Sequence, residues 1–95
     1  PATDVKSHFT IRNQLKAYPN PYKQGQFTIE TELSMNDVDV IIMDINGRQH
    51  FTKKTSFVGG KLTIQPGNLL SGIYFLIVAD AKNRLSKEII VEKYF

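Results

Sequence analysis

Strict alternation of apolar and polar side chains runs through most of this chain. In residues 26–33, QFTIETEL, Phe27, Ile29, Thr31 and Leu33 fall on one face and Gln26, Thr28, Glu30 and Glu32 on the other. That period of two is the pattern of a half-buried antiparallel strand. Residues 38–45, VDVIIMDI, predict another, with Val38, Val40 and Ile42 toward the core. Asn46-Gly47 follows, a strong hairpin signal, because both central residues of a type I′ turn take φ > 0. The predicted return strand is 48–54, RQHFTKK. After a Gly-rich break at 56–60, SFVGG, a short strand is predicted over 61–65 with Leu62 and Ile64 in phase. A short first strand is expected at 14–18, QLKAY.

Two later segments complete the pattern. Residues 73–79, IYFLIVA, are apolar on both faces, as expected of a central strand covered on both sides or of one whose outer face makes a contact. With Tyr74, Leu76 and Val78 directed inward, Ile73, Phe75 and Ile77 face outward as an apolar stripe that docks a partner if it is left uncovered. In the last strand, 84–93, RLSKEIIVEK, Leu85, Ile89 and Val91 share a face with Lys87 between them. No amphipathic helical window and no internal repeat is present. Six or seven short strands at this spacing predict an all-β, antiparallel β-sandwich.

Length and composition narrow the function. Ninety-five residues suit one domain, and residues 1–13 lack a clear period, so a linker or loosely attached lead-in is expected there and a folded domain over 14–95. There is no cysteine, hence no disulfide framework, thiolate nucleophile or Cys-ligated metal. The net charge is +3, but Lys and Arg are scattered and only Lys53 and Lys54 are adjacent, which predicts a solvated surface and no nucleic-acid partner. No run of about 18 apolar residues exists to span a membrane. The chain opens on Pro1, not on a basic and then apolar leader, so any export signal is expected upstream.

Catalysis is not expected. His8 and His50 read as surface imidazoles, and none of the five serines sits in a nucleophile-elbow pattern. Asp44, Asn46 and Gly47 resemble the middle of a calcium loop, but that template puts its first ligand on Ile42 and its bidentate Glu on Lys53. The spacing instead predicts a hairpin turn supported by an Asx side chain. Asp37 and Asp39 alternate on one strand face and are expected in solvent. Gly59-Gly60 has no helix after it to complete a phosphate loop. No metal and no cofactor is implied.

The order YPNPYKQGQFTIE, IIMDINGRQHF, NLLSGIYFLIV, KEIIVEK resembles the type A C-terminal sorting domain of type IX secretion in Bacteroidetes, over residues 18–93. The matching positions are Tyr18, Pro19, Asn20, Pro21, Asp44, Asn46, Gly47, Gly72 and Tyr74, with Lys87, Ile89, Val91, Glu92 and Lys93 in the terminal stretch. The tail departs from the pattern by running on to Tyr94-Phe95. The resemblance implies an immunoglobulin-like sandwich of about seven strands without catalysis. It implies a secretion signal carried by an upstream cargo domain, passing through the periplasm to the cell surface or medium. The implied partners are the translocon, an outer-membrane shuttle protein and a sortase-like cysteine peptidase that cuts upstream of the domain. In this setting Pro19 and Pro21 pin an extended approach to the fold, and Tyr18 and Tyr22 are expected to pack against the sandwich end, marking the boundary between linker and signal. Rival readings share the fold: an uncleaved structural module of the secretion apparatus, a flagellar-hook capping type module, and an adhesive or carbohydrate-binding sandwich. The last lacks the exposed Trp-rich face that sugar binding favours.

Overall fold

The computed structural model describes residues 15–93; the proposed lead-in, His8 and Tyr94-Phe95 lie outside them. Seven strands form in order: β1 (Leu15–Tyr18), β2 (Phe27–Thr31), β3 (Asp37–Asp44), β4 (Gln49–Ser56), β5 (Lys61–Ile64), β6 (Gly72–Ala79) and β7 (Arg84–Val91). They make two antiparallel sheets, β1-β2-β5 and β4-β3-β6-β7. This is the predicted all-β sandwich.

The alternation works as the sequence implies. Phe27, Ile29, Val40, Ile42, Leu76 and Val78 are fully buried between the sheets, joined by Leu85, Ile89 and Val91 from β7. β6 lies between β3 and β7, with Ile42 opposite Leu76 and Tyr74 opposite Ile89, so its central placement also holds. β2 ends at Thr31, two residues before Leu33. The Thr31 N–H donates to the Gly60 carbonyl, and Thr31 Oγ1 accepts the Leu33 N–H, which turns the chain out of the sheet.

Two turns differ from expectation. Asn46-Gly47 is not a type I′ turn, because no residue other than glycine has positive φ. The Gly47 N–H bonds back to the Asp44 carbonyl, and the Asp44 N–H bonds to the Arg48 carbonyl. The central pair is therefore Ile45-Asn46 in a type I arrangement, and Gly47, at φ 83°, supplies the left-handed residue of the bulge that realigns the strands. Asp44 Oδ1 accepts the N–H groups of Asn46 and Arg48, the side-chain support predicted for this turn. The primed turn lies instead at Gly59-Gly60, which the sequence marks only as a break. Both glycines have positive φ, and Val58 and Lys61 exchange both backbone hydrogen bonds across them. Gly47→Val still places a β-branched residue at positive φ, at a cost of about 1–3 kcal/mol. A melting midpoint lower by about 4–8 °C per kcal/mol is the expected reading.

The sandwich is lopsided. Its three-stranded sheet sets β1 against β7, and the fourth strand of the larger sheet, β4, has no buried residue at all. Phe51 of β4 and Phe57 just beyond it are half-buried against the edge of the core.

Candidate recognition surface

The proline segment between β1 and β2 crosses from one sheet to the other. It leaves β1 at Tyr18, passes cis peptide bonds before Pro19 and Pro21, and brings Tyr22 alongside the end of β7 as a short parallel partner of Val91. Three hydrogen bonds close this clasp. The Tyr22 N–H donates to the Ile90 carbonyl at 2.7 Å, the Glu92 N–H donates to the Tyr22 carbonyl at 2.9 Å, and the Ile90 N–H donates to Asn20 Oδ1 at 2.9 Å. The edge of β7 is thus occupied at Ile90–Glu92. The free terminal edge that a last strand suggests is absent over those residues.

The two tyrosines of the motif separate in role. Tyr22 is buried to 1% exposure, stacks edge-on against Phe27 at 5.4 Å and donates its hydroxyl to the Gly25 carbonyl. Burial raises its phenol pKa. Tyr18 does not pack on the sandwich end as expected: it is 41% exposed, and its hydroxyl donates to Glu30 across the β1-β2 pair. The alternation of β1 explains this, since Leu15 and Ala17 take the inward positions and leave Tyr18 on the outer face.

The outer face of the larger sheet carries the apolar stripe. Ile73 pairs with Ile90, Phe75 with Met43 and Ile77 with Ile41. Ile73, Phe75 and Ile90 are 48%, 37% and 41% exposed. Ile77 departs from the expected outward stripe: only 5% of it is accessible, although it lies outside the main core cluster. Its cross-strand neighbours Ile41 and Ser86 flank it at the middle of the sheet. Ile90 belongs both to this stripe and, through its backbone, to the clasp.

At the Asn46-Gly47 pole, Asp44 Oδ2 meets His50 Nε2 at 2.8 Å, and the His50 ring stands edge-on to Tyr74 at 5.4 Å. His50 is therefore not an idle surface imidazole but a brace of the hairpin. Tyr74 is buried and donates its hydroxyl to the Leu70 carbonyl. The His50 hydrogen bond, followed by the Arg48 and Asn46 N–H groups, holds the Asp44 carboxyl below its usual range. A depressed carboxylate stabilises the fold above its unfolded pKa and loses that contribution as pH falls through the folded value. Urea midpoints are therefore expected to fall below about pH 4, and Asp44→Asn is expected to flatten that fall while lowering the midpoint at pH 7.

The terminal residues are more engaged than free recognition groups would be. Lys87 and Ile90 are exposed, but Glu92 and Lys93 are half-buried. The Lys93 N–H donates to Ser71 Oγ, and its ammonium lies 3.4 Å from Asn68 Oδ1. Gly72 starts β6 opposite Val91. The structure thus brings Asn20, Pro21, Gly72, Ile89, Val91, Glu92 and Lys93 to one end, with Asp44, Asn46 and Gly47 in the adjoining hairpin and Tyr74 on β6 opposite Asp44. Asp37 and Asp39 sit in solvent, accepting from Ser56 and facing Lys54 at 3.6 Å. Among the described residues, no group of three or more His, Cys, Asp or Glu is arranged to hold a metal ion, and no helix is long and apolar enough to cross a membrane.

The model of one family, the secretion system C-terminal sorting domain, matches residues 16–92. The chain belongs to that family. It is accordingly a sorting domain of type IX secretion in Bacteroidetes, whose general role is in the secretion of cargo. A solved structure of a DUF3244 family protein with an immunoglobulin-like β-sandwich fold, from Bacteroides vulgatus, is similar to this sorting domain at a TM-score of 0.63 and 17% identity, over 83% of this chain and 84% of that one. That likeness establishes the immunoglobulin-like fold. No curated protein matches the chain.

Proposed function

We propose that this sorting domain directs an upstream cargo through the periplasm and across the outer membrane, and that the secretion machinery reads the clasped end of β7 together with the apolar stripe beside it. The observation that carries this reading is Ile90. Its backbone is held by Asn20 and Tyr22, while its side chain continues the exposed row of Ile73 and Phe75. A folded domain is the only state in which residues 20–22 and 90–92 meet, so the surface reports that the tag has folded. The exposed stripe is a few side chains wide, far short of the roughly 800 Å² per partner of a stable interface. It suits a partner that binds and lets go, such as a translocon or shuttle protein.

In this reading the sortase-like peptidase cuts before Tyr18, in residues 1–15 or further upstream, because the chain from Leu15 onward enters β-structure and then the clasp. The test is a reporter protein fused ahead of residue 1 in a type IX-competent cell. The reporter is expected at the surface or in the medium with a mature C-terminus that lies before Tyr18. A cut inside residues 26–93, or equal delivery of a reporter without the domain, contradicts the proposal.

A further inference from the structure

We infer a second docking position on the side of the sandwich away from the clasp, where the free edge of β5 takes an extended acidic segment of another protein as the fourth strand of the smaller sheet. The inference goes beyond the sorting surface, which lies along β6 and β7.

The geometry follows from the Gly59-Gly60 turn. Val58 and Lys61 exchange both backbone hydrogen bonds across it. Beyond that pair the strands part, β4 into the larger sheet and β5 into the smaller. Backbone groups alternate in direction along a strand. Thr63 therefore turns its N–H and C=O the same way as Lys61, toward the opening, while Leu62 and Ile64 face β2. The opening is a cleft of about 310 Å³ lined by Gln26, Phe51, Lys53, Thr63, Ile64 and Gln65. β4 overhangs it: the inward-facing Phe51 and Thr55 are only half-buried and Lys53 is exposed, because β5 does not extend beneath them. The sandwich is short of one strand at this place.

Charge selects the occupant. Lys53 lines the cleft and no carboxylate is among the lining residues; Lys61 lies outside the lining, across from Glu30 of β2. Lys53 makes no ion pair among the described residues. A second copy pairing through its own β4 or β5 edge would bring Lys53, Lys54 or Lys61 against like charges, which disfavours it. A strand of alternating apolar and acidic residues satisfies both features. Its backbone completes the ladder at Thr63, its apolar side chains cover Phe51 and Thr55, and a carboxylate meets Lys53.

The probe is a capped seven-residue peptide alternating valine with glutamate, compared with its valine-lysine counterpart, titrated into the isotopically labelled 95-residue chain. Expected are amide shifts centred on Phe51, Lys53, Thr63 and Gln65, slowed exchange of the Thr63 amide, and binding about tenfold or more tighter for the acidic peptide. Thr63→Pro removes a donor that faces out of an edge strand, where proline is tolerated, and is expected to abolish binding with little change in melting midpoint. Should that variant unfold, Lys53→Glu serves instead and is expected to reverse the preference between peptides. The proposal is overturned by equal affinity for the two peptides, by no binding at millimolar concentration, or by shifts on Ile73, Phe75 and Ile90 instead. Self-association of the chain that Lys53→Glu strengthens would show that the edge takes a second copy, and overturns it too.

Discussion

Removal of residues 89–95 is expected to abolish surface delivery of an attached reporter while the reporter itself still folds. Ile89 and Val91 are each 1% exposed and sit opposite Tyr74 and Gly72. Their loss empties the inner face of β7 over its last turn of pleat, and it strips Asn20 and Tyr22 of the partners they bond at Ile90 and Glu92. Buried Tyr22 then faces water. Ile89→Ala alone is expected to cost about 2–4 kcal/mol, against a total stability near 5–15 kcal/mol for a domain of this kind. The truncation exceeds that and leaves the domain unfolded. Folding and recognition are separated by the companion variant Ile90→Ser. It changes an exposed side chain but keeps the backbone bonds of the clasp, so the midpoint is expected to move by less than about 0.5 kcal/mol equivalent. Its surface-to-periplasm ratio is expected to drop all the same. Full delivery of the truncated fusion would remove the terminal strand from the signal. Full delivery of Ile90→Ser would remove the apolar stripe.

Gly60→Val is expected to be the most damaging single substitution outside the core. A Cβ at this position stands 2.9 Å from the Thr31 carbonyl oxygen, and the residue has φ 78°. The obstacle is backbone, so no rotamer change relieves it, and the Gly60 carbonyl is itself held by the Thr31 N–H. Positive φ and the collision together are expected to cost about 3 kcal/mol or more, a fall of about 12–24 °C in midpoint. Gly59 is the control. It has φ 62° with nothing within 4 Å of an added Cβ, so Gly59→Asn keeps a side chain tolerated in the left-handed region and is expected to be mild. Equal losses for Gly60→Asn and Gly59→Asn would show that the Thr31 carbonyl contact adds nothing beyond conformational strain.

The parts of this fold that could be read from sequence are those written in a period of two. Phe27 and Ile29, Val38 to Ile42, and Leu85 to Val91 alternate because one side of each strand is core and the other is not. Turn chemistry was harder. Asn46-Gly47 and Gly59-Gly60 both permit a primed turn, and what decides between them is the Asp44 carboxylate, which captures the Asn46 and Arg48 N–H groups and shifts the turn back by one residue. The clasp was least legible. YPNPY is nearly symmetric, so nothing local tells which tyrosine is buried, and the Asn20 bond to Ile90 spans 70 residues of sequence. The apolar stripe on β6 is legible at Ile73 and Phe75 but not at Ile77, and its continuation through Met43 and Ile90 depends on the register of β3 and β7 against it.

The clasp also determines how the domain carries load. Leu15 stands opposite Thr31, near the Gly60 turn, whereas Tyr22 meets Val91 at the other end of the sandwich. The chain ahead of Leu15 and the chain beyond Val91 thus leave from opposite poles. Tension between the two ends runs lengthwise along β1 and β7, across the bonds that each makes within its own sheet, β1 to β2 and β7 to β6. Bonds loaded in this way share the force and fail together; they do not peel one by one. Pulling on the two ends would therefore strip the first strand only by shearing its whole ladder to β2 at once.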